Sequence, residues 1–255
     1  MIVVRARGLV QRFGDRVALG PLDLELAAGE RLAVLGGNGA GKTTLLRLLA
    51  TVVRPAAGRL ELFGLDATRQ RERLRARLGY VGHQLGLYPA LTAFENLEFF
   101  ARLYGLGRGE ARTALEVVGL SGAAGRRLEQ LSRGQQQRLA LARSVLHDPE
   151  LLILDEPDAS LDAEGRDLLA TLFEGRSVVM ATHDLALARE LCGRALLLRS
   201  GRDAGHCGRL RPPEDRPRVP RAIGRWGPAT EAEGTSPSAW PPAVRIGEAR
   251  GVSPR

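Results

Sequence analysis

The sequence predicts an α/β fold with a parallel sheet at its centre. Apolar segments typical of buried strands occupy residues 31–35, 151–156 and 177–181, and segments with helical periodicity lie between them. A glycine-rich loop joins the first of these strands to a helix. Strands that alternate with helices in this way favour a parallel sheet that is covered by helices.

The glycine-rich loop covers residues 36–43 and reads Gly-Gly-Asn-Gly-Ala-Gly-Lys-Thr, which matches the pattern G-x-x-x-x-G-K-[ST]. Small residues let backbone N–H groups surround phosphate oxygens, and the helix that follows points its positive end at the same anion. We therefore expect Lys42 to reach the β- and γ-phosphates of a nucleotide and the Thr43 hydroxyl to hold Mg²⁺. The residues predicted to bind the nucleotide here are Gly36, Asn38, Gly39, Ala40, Gly41, Lys42, Thr43 and Thr44.

Lys42 is the only lysine in the sequence, and every other basic residue is an arginine. Arginine therefore serves wherever positive charge alone is needed, which indicates that Lys42 stands where arginine cannot replace it. The alternative interpretation is a glycine-rich turn with an incidental lysine.

The composition, with 255 residues of which 44% are hydrophobic, permits a substantial core. The net charge is +8, but residues 202–255 contain ten Arg against six Asp and Glu, so they account for half of it. The remainder of the chain is only mildly basic. We therefore expect no specific nucleic-acid partner.

The two cysteines, Cys192 and Cys207, have neither the number nor the spacing of a disulfide framework or a zinc site, and they suit a reducing cytoplasm. No signal peptide and no run of 18 apolar residues is visible. We expect any membrane association to come through a partner.

The first part of the sequence predicts an antiparallel sheet, because residues 2–10 and 22–26 alternate between apolar and polar. Phe13 falls on the loop expected between these strands, where an aromatic ring could stack on a base or pack at an edge of the core. Further along, residues 58–64 predict a strand, residues 69–77 a basic helix, and residues 78–82 a strand that leads to His83 and Gln84.

The middle of the sequence is mostly helical. A helix over residues 92–104 opens with a capping box of Thr92 and Glu95, and residues 110–118 predict a further short helix. The first of these helices has an aromatic face, which is either core or a docking surface. Residues 131–138 read Leu-Ser-Arg-Gly-Gln-Gln-Gln-Arg and begin a helix expected to reach His147.

Two buried strands end in polar residues that could carry chemistry. Residues 151–156 end in Asp155 and Glu156, and residues 177–181 are followed by Thr182 and His183. An Asp at the carboxyl end of such a strand is where a phosphate-loop hydrolase holds Mg²⁺. Residues 195–198 are expected to form the last strand.

The character of the sequence changes near residue 202, since nine of the 14 prolines lie in residues 202–255. We predict one domain over residues 1–201 and a Pro-, Arg- and Gly-rich tail over residues 202–255 that is mostly disordered. The tail is either an extension without a function or a basic segment that touches anionic lipid or acidic surfaces.

The glycine loop, Leu-Ser-Arg-Gly-Gln at 131–135, the strand ending in Asp155 and Glu156, Ser-Leu-Asp at 160–162 and His183 follow one order with one set of spacings. Together they resemble the nucleotide-binding subunit of ABC transporters over about residues 1–210. The resemblance implies an α/β P-loop NTPase fold of the ABC type, with a mainly helical signature subdomain at about 84–147 and an antiparallel β subdomain.

The resemblance also implies roles for individual residues. Asp155 and Thr43 would hold Mg²⁺, Glu156 would polarise the attacking water, and His183 would contact the γ-phosphate and the catalytic carboxylate. Phe13 would stack on adenine. In a dimer closed by ATP, each site would be completed by the partner copy's Ser132, Gly134, Gln135 and Asp162.

The loop after residue 81 departs from the general family pattern, because Gln84 stands one place later than the family's glutamine, whose position His83 occupies. Either Gln84 or His83 would then reach Mg²⁺ and water. The run Gly82-His83-Gln84 and its surroundings resemble the haem-exporter ATPase of cytochrome c maturation.

The resemblance therefore implies an ATP-hydrolysing subunit at the cytoplasmic face of a membrane exporter, with integral membrane permease subunits and a second copy of itself as partners. Haem is the first candidate substrate, and a multidrug, lipid or polysaccharide exporter is the alternative within the class. An alternative of another class is a soluble ABC ATPase in translation or DNA repair. A binding module that does not hydrolyse ATP is disfavoured because Glu156 and His183 are both present.

Overall fold

A computed structural model of the chain describes residues 1–207 and contains two sheets. The strands are β1 (Ile2–Phe13), β2 (Arg16–Ala27), β3 (Arg31–Leu35), β4 (Ala57–Leu62), β5 (Leu65–Asp66), β6 (Leu78–Val81), β7 (Leu151–Asp155), β8 (Ser177–Ala181), β9 (Arg194–Arg199) and β10 (Arg202–Cys207). The helices are α1 (Lys42–Leu49), α2 (Arg71–Arg75), α3 (Ala93–Leu103), α4 (Arg108–Val117), α5 (Arg133–Val145), α6 (Ala163–Leu172) and α7 (Leu185–Leu191).

The smaller sheet is antiparallel, with the strand order β2-β1-β4-β5. The larger sheet has the order β10-β9-β3-β8-β7-β6, and all of its strands are parallel except β10. Helix α1 packs between the sheets, since its four leucines are fully buried in a cluster that contains residues of both. This confirms the predicted α/β fold with an antiparallel β part.

The first hairpin is longer than the sequence predicted. Strand β1 continues to Phe13, which pairs with Arg16 across a turn at Gly14 and Asp15. The expectation that Phe13 lies on a loop was wrong, because Gly14 adopts a φ of 57° and closes the hairpin within two residues.

The expectation that the strand at 195–198 is the last one was also wrong. Strand β10 follows it and pairs antiparallel with β9, so that Arg202 lies opposite Arg199. A turn at Ser200 and Gly201, both with positive φ, joins the two strands. The first six residues of the predicted tail therefore belong to the sheet. Residues 208–255, on which the rest of that prediction falls, lie outside the described residues.

The helical part between β6 and β7 has its own apolar cluster, formed by α3, α4, α5 and short 3-10 turns at Ser121–Ala123 and Leu128–Gln130. Thr92 caps α3 with the predicted capping box. Leu97, Phe100 and Ala101 of the predicted aromatic face are buried in this cluster. The structure therefore assigns that part of the face to the core.

Asn96 anchors the loop before α3 and is fully buried. Its side-chain oxygen accepts a hydrogen bond from the Tyr88 N–H at 2.7 Å, and its amide group lies within hydrogen-bond distance of the carbonyl oxygens of Tyr88, Leu91 and Thr92. Asn96 thus fixes the end of the loop between β6 and α3 by bonding three of its residues.

His147 lies under β6, where its ring stacks on Tyr104 with the centroids 3.9 Å apart. Nε2 donates a hydrogen bond to the Leu78 carbonyl at 3.0 Å, while the buried Nδ1 has no hydrogen-bond partner within residues 1–207. Burial lowers the pKa of His147 to about 4. The folded chain therefore holds this imidazole neutral at pH values where the unfolded chain protonates it.

We expect His147 to make the fold sensitive to acid. Between about pH 6.5 and pH 4 the unfolded chain binds the proton and the folded chain does not, so the free energy of unfolding falls as the pH falls. At pH 4.5 this difference in protonation is expected to lower the free energy of unfolding by about 2 kcal/mol. His147→Gln keeps an N–H donor but does not titrate. Urea unfolding at pH 7 and 4.5 should show a smaller acid loss for this variant, and equal losses would contradict the assignment.

Candidate functional site

The phosphate loop follows β3, which lies between β8 and β9 in the parallel sheet. Gly36 has a φ of 149°, and a Cβ at this position would lie 2.4 Å from the Leu198 carbonyl oxygen of β9. Gly41, the N-cap of α1, has a φ of 100°, and its Cβ would lie 2.8 Å from the Ala18 carbonyl oxygen of β2. Both glycines are therefore required by close contacts between backbones as well as by their φ values.

The loop residues that would meet a phosphate are open to solvent. Gly37, Asn38 and Gly39 are exposed, whereas Ala40 is buried and accepts a hydrogen bond from the Gly201 N–H at 3.0 Å. The first turn of α1 contains no acidic residue that could occupy its positive end. This arrangement leaves an exposed loop and a free helix N-terminus for an anion.

Lys42 is buried, and its ammonium group lies inside the loop. Nζ donates to the carbonyl oxygens of Gly36 at 2.8 Å and Gly37 at 3.2 Å, and it lies 3.2 Å from Nε2 of His183. Two of these partners are backbone carbonyl oxygens, which carry no net charge. An entering phosphate would offer a stronger, charge-assisted partner for the same ammonium group.

Asp155 ends β7 beside the loop and is almost fully buried. Burial raises the pKa of its carboxyl group, a hydrogen bond from Thr43 lowers it, and the Glu156 carboxylate raises it again. Its Oδ2 has no hydrogen-bond partner among the described residues. An unpaired carboxylate oxygen next to a Thr hydroxyl is a suitable donor set for Mg²⁺, which prefers oxygen ligands.

Glu156 and His183 form a pair at the same edge of the sheet. Glu156 follows β7 with a φ of 51°, so the chain turns out of the strand at this residue. Its Oε1 lies 2.8 Å from Nε2 of His183, which is the nitrogen that also lies near Lys42. Nε2 carries either a proton or a lone pair, so it can donate to Glu156 or accept from Lys42 but cannot do both.

His83 and Gln84 follow β6, the neighbour of β7, and both side chains are exposed. His83 lies close enough to Asp155 to lower the pKa of its carboxyl group. Their loop rests on Arg143 of α5, which donates to the Tyr80 carbonyl at 2.6 Å and whose Nη1 would lie 3.4 Å from a Cβ on Gly86. Sequence reasoning missed Arg143, because the groups that it contacts, the Tyr80 carbonyl and the Phe100 ring, are distant in sequence.

Ser132 and Gln135 cap α5. The Ser132 oxygen accepts from the Gln135 N–H at 3.2 Å, and the Gln135 side chain accepts from the Ser132 N–H at 3.0 Å. The Ser132 hydroxyl proton is not used by this capping box. Gly134 lies against the loop after β7, since a Cβ there would be 2.8 Å from the Ser160 carbonyl oxygen.

Asp162 is the N-cap of α6, where its Oδ1 accepts from the Gly165 N–H at 2.9 Å. The same oxygen lies 2.6 Å from the Arg138 guanidinium of α5. The Gly165 N–H and then Arg138 lower the pKa of the Asp162 carboxyl group. Ser132, Gln135 and Asp162 thus form these hydrogen bonds with α5 and α6 and not with the phosphate loop of the same chain.

Phe13 lies at the exposed end of the first hairpin and is 51% exposed. The hairpin strand β2 meets the phosphate loop through Ala18, beside Gly41. The ring is therefore a free apolar surface on the part of the antiparallel sheet that adjoins the start of α1.

The ABC transporter family model matches residues 19–159, which is more than half of the sequence and covers the phosphate loop, α5 and the Asp155-Glu156 pair. The chain belongs to the ABC transporter family. It is an ATP-binding cassette, so the sequence-based predictions of fold and enzyme class are confirmed at this level.

The cassette is similar to several proteins of the family. It is 41% identical to a daunorubicin resistance ATP-binding protein of Streptomyces coeruleorubidus, over 76% of this chain and 65% of that protein. It is 42% identical to a phosphonates import ATP-binding protein of Anaeromyxobacter dehalogenans, over 76% of this chain and 43% of that protein. It is 34% identical to a Nod factor export ATP-binding protein of Cupriavidus metallidurans, over 78% of this chain and 69% of that protein.

The fold of the cassette matches a solved dimeric ATP-binding cassette in a post-hydrolysis state with ADP and Pi bound. The TM-score is 0.74 and the sequence identity 29%, over 82% of this chain and 99% of that chain. The matched structure is a dimer.

We expect Gly36→Ala to destabilise the cassette, because a methyl group at this position would contact the Leu198 carbonyl oxygen and the φ value is unfavourable for alanine. Strain of this kind costs about 1–3 kcal/mol. Gly37→Ala is the matched control, since a Cβ there meets no atom within 4 Å. Thermal unfolding should show a clearly lower Tm for Gly36→Ala than for Gly37→Ala. Equal Tm values would contradict the predicted steric strain at Gly36.

Proposed function

We propose that this cassette is the ATP-hydrolysing subunit of an ABC exporter. The observation that carries the proposal is the convergence of Lys42, Glu156 and His183, with Nε2 of His183 at 3.2 Å from the ammonium group and 2.8 Å from the carboxylate. A cation that belongs to the phosphate loop and a candidate general base thus share one histidine. Phosphoryl transfer to water needs this combination of charge neutralisation and water positioning.

Each residue of this group has a proposed role. The loop amides and Lys42 bind the phosphates, and Thr43 with Asp155 would hold Mg²⁺, which would neutralise phosphate charge when bound. Glu156 orients and polarises the attacking water. When Lys42 turns from His183 to a phosphate, Nε2 of His183 is free to hold Glu156. His83 and Gln84 are exposed in the loop after β6. Because His83 lies near Asp155, we favour His83 over Gln84 for a role at this site.

We propose that a second copy completes the site. Ser132 has a hydroxyl proton that capping does not use, and it stands at the N-terminus of α5, where an anion is favoured. None of the contacts described above for four residues of this region is with the phosphate loop of the same chain: Ser132, Gly134, Gln135 and Asp162. We therefore assign them to the phosphates held by a partner copy. The dimeric solved cassette with ADP and Pi supports this arrangement.

We propose integral membrane permease subunits as the other partners, with the cassette peripheral at the cytoplasmic face of the membrane. No helix within residues 1–207 is long and apolar enough to cross a bilayer. Two of the three relatives above, a Nod factor export protein and a daunorubicin resistance protein, support export as the direction, whereas the third is named for phosphonates import.

Haem for c-type cytochrome biogenesis is the first candidate substrate, and the run Gly82-His83-Gln84 supports it. A drug, a lipid or a polysaccharide is the second candidate, and the similarity to proteins named for daunorubicin resistance and Nod factor export supports that one.

We expect Glu156→Gln to bind ATP and to dimerise while losing nearly all turnover, because the amide cannot accept a proton from water but keeps the size of the side chain. Removal of a main catalytic group commonly lowers the rate by about 10²- to 10⁴-fold. Steady-state phosphate release and size-exclusion chromatography with ATP would measure both effects. Glu150→Gln, which changes an exposed carboxylate paired with Arg77, is the control. Substantial residual turnover in Glu156→Gln would remove Glu156 from the mechanism.

We expect the tagged cassette to co-purify with integral membrane proteins from detergent-solubilised host membranes, as identified by mass spectrometry. A haem absorption band together with cytochrome c maturation factors would support haem export, and their absence beside a permease would favour the second candidate. A co-purified solute-binding protein would contradict export. Ribosomal proteins or nucleic acid without membrane proteins would overturn the transporter assignment and leave a soluble ATPase.

A further inference from the structure

The loop after β7 carries Glu156, and the loop after β8 carries His183. Among the described residues, backbone hydrogen bonds join these two loops only at the point where they leave the sheet. The Glu156 N–H donates to the Ala181 carbonyl at 2.9 Å, which continues the parallel ladder by one residue. Beyond this point the chain leaves the sheet on both sides. Another contact is needed to set the distance between the side chains.

Thr182 supplies such a contact. It directly precedes His183, and none of its surface is exposed. Its hydroxyl donates to Oδ2 of Asp158 at 3.1 Å and accepts from the Asp184 N–H at 3.0 Å. The single hydroxyl proton and one lone pair are thus both used, which fixes the orientation of the hydroxyl group.

The two partners of Thr182 belong to the two loops that must be aligned. Asp158 stands two residues after Glu156, and the Gln137 side chain of α5 holds its neighbour Pro157 by donating to the carbonyl at 3.1 Å. Asp184 directly follows His183 and caps α7 by accepting from the N–H groups of Ala186 and Leu187. The hydroxyl therefore connects a loop fixed to α5 with a loop fixed to α7.

We propose that Thr182 is a positioning residue for ATP hydrolysis, which sets the geometry of the Glu156–His183 pair through the hydrogen bond to Asp158. The proposal rests on the function proposed above for Glu156 and His183. Asp158 is the second half of this contact, and its Oδ1 is buried without a hydrogen-bond partner in the described chain. The Asp158 side chain is therefore partly buried, and Thr182 donates the hydrogen bond to its other oxygen.

The test is the rate of ATP turnover by the full chain with Thr182→Val, which keeps the shape of the side chain and removes the hydroxyl. A misplacement of catalytic groups by about 1 Å can lower a rate by about 10²-fold, so we expect kcat to fall by about 10- to 10²-fold with KM for ATP unchanged. Thr182→Ser restores the hydroxyl and should restore most of kcat. Thr171→Val removes a hydroxyl that only bonds the Asp167 carbonyl within α6, and it should leave kcat unchanged.

A double-mutant cycle separates positioning from a general structural role. In a His183→Ala background there is no pair left to align, so Thr182→Val should lower kcat less than about 2-fold further. Equal losses in both backgrounds, or an unchanged kcat in Thr182→Val alone, would overturn the proposal. If Thr182→Val does not fold, Asp158→Ala decides by the same cycle, because it removes the other half of the hydrogen bond. Retained turnover in Glu156→Gln would instead reject the proposed function, so the two failures are distinguishable.

Discussion

The structure depends on the close approach of the phosphate loop to the backbones of its neighbours. A Cβ on Gly36 would lie 2.4 Å from the Leu198 carbonyl, and one on Gly41 would lie 2.8 Å from the Ala18 carbonyl. The phosphate loop therefore contacts the parallel sheet at Gly36 and the first hairpin at Gly41. Because no side chain fits at either point, the loop amides stay fixed with respect to the strand ends that carry Asp155 and His183.

The candidate chemistry lies at the carboxyl ends of neighbouring parallel strands. Strands β3, β7 and β8 end at the phosphate loop, at Asp155 and before Thr182 and His183, and parallel strands place these ends at one edge. The positive φ of Glu156 turns the chain out of β7 at the point where its side chain meets His183. One histidine nitrogen then lies between the cation of the loop and the carboxylate.

Helix α5 joins the helical part to this edge. Arg143 supports the loop that carries His83 and Gln84, Gln137 holds the loop after Glu156, and Arg138 contacts Asp162. Its N-terminus presents Ser132 on the surface. A movement of α5 would therefore reach both the loop next to β6 and the loop next to β7.

The sequence by itself determined the phosphate loop, the capping box at Thr92, the buried strands and the carboxylates that end one of them, because these depend on local periodicity and on spacing within a few residues. It did not determine that the first hairpin extends to Phe13 or that β10 adds a strand. Turn closure and strand pairing depend on contacts of one segment with another. Only the tertiary structure brought Lys42, Glu156 and His183 to one nitrogen and Thr182 to Asp158. Such contacts join residues distant in sequence, and their geometry is set by the order of strands in the sheet.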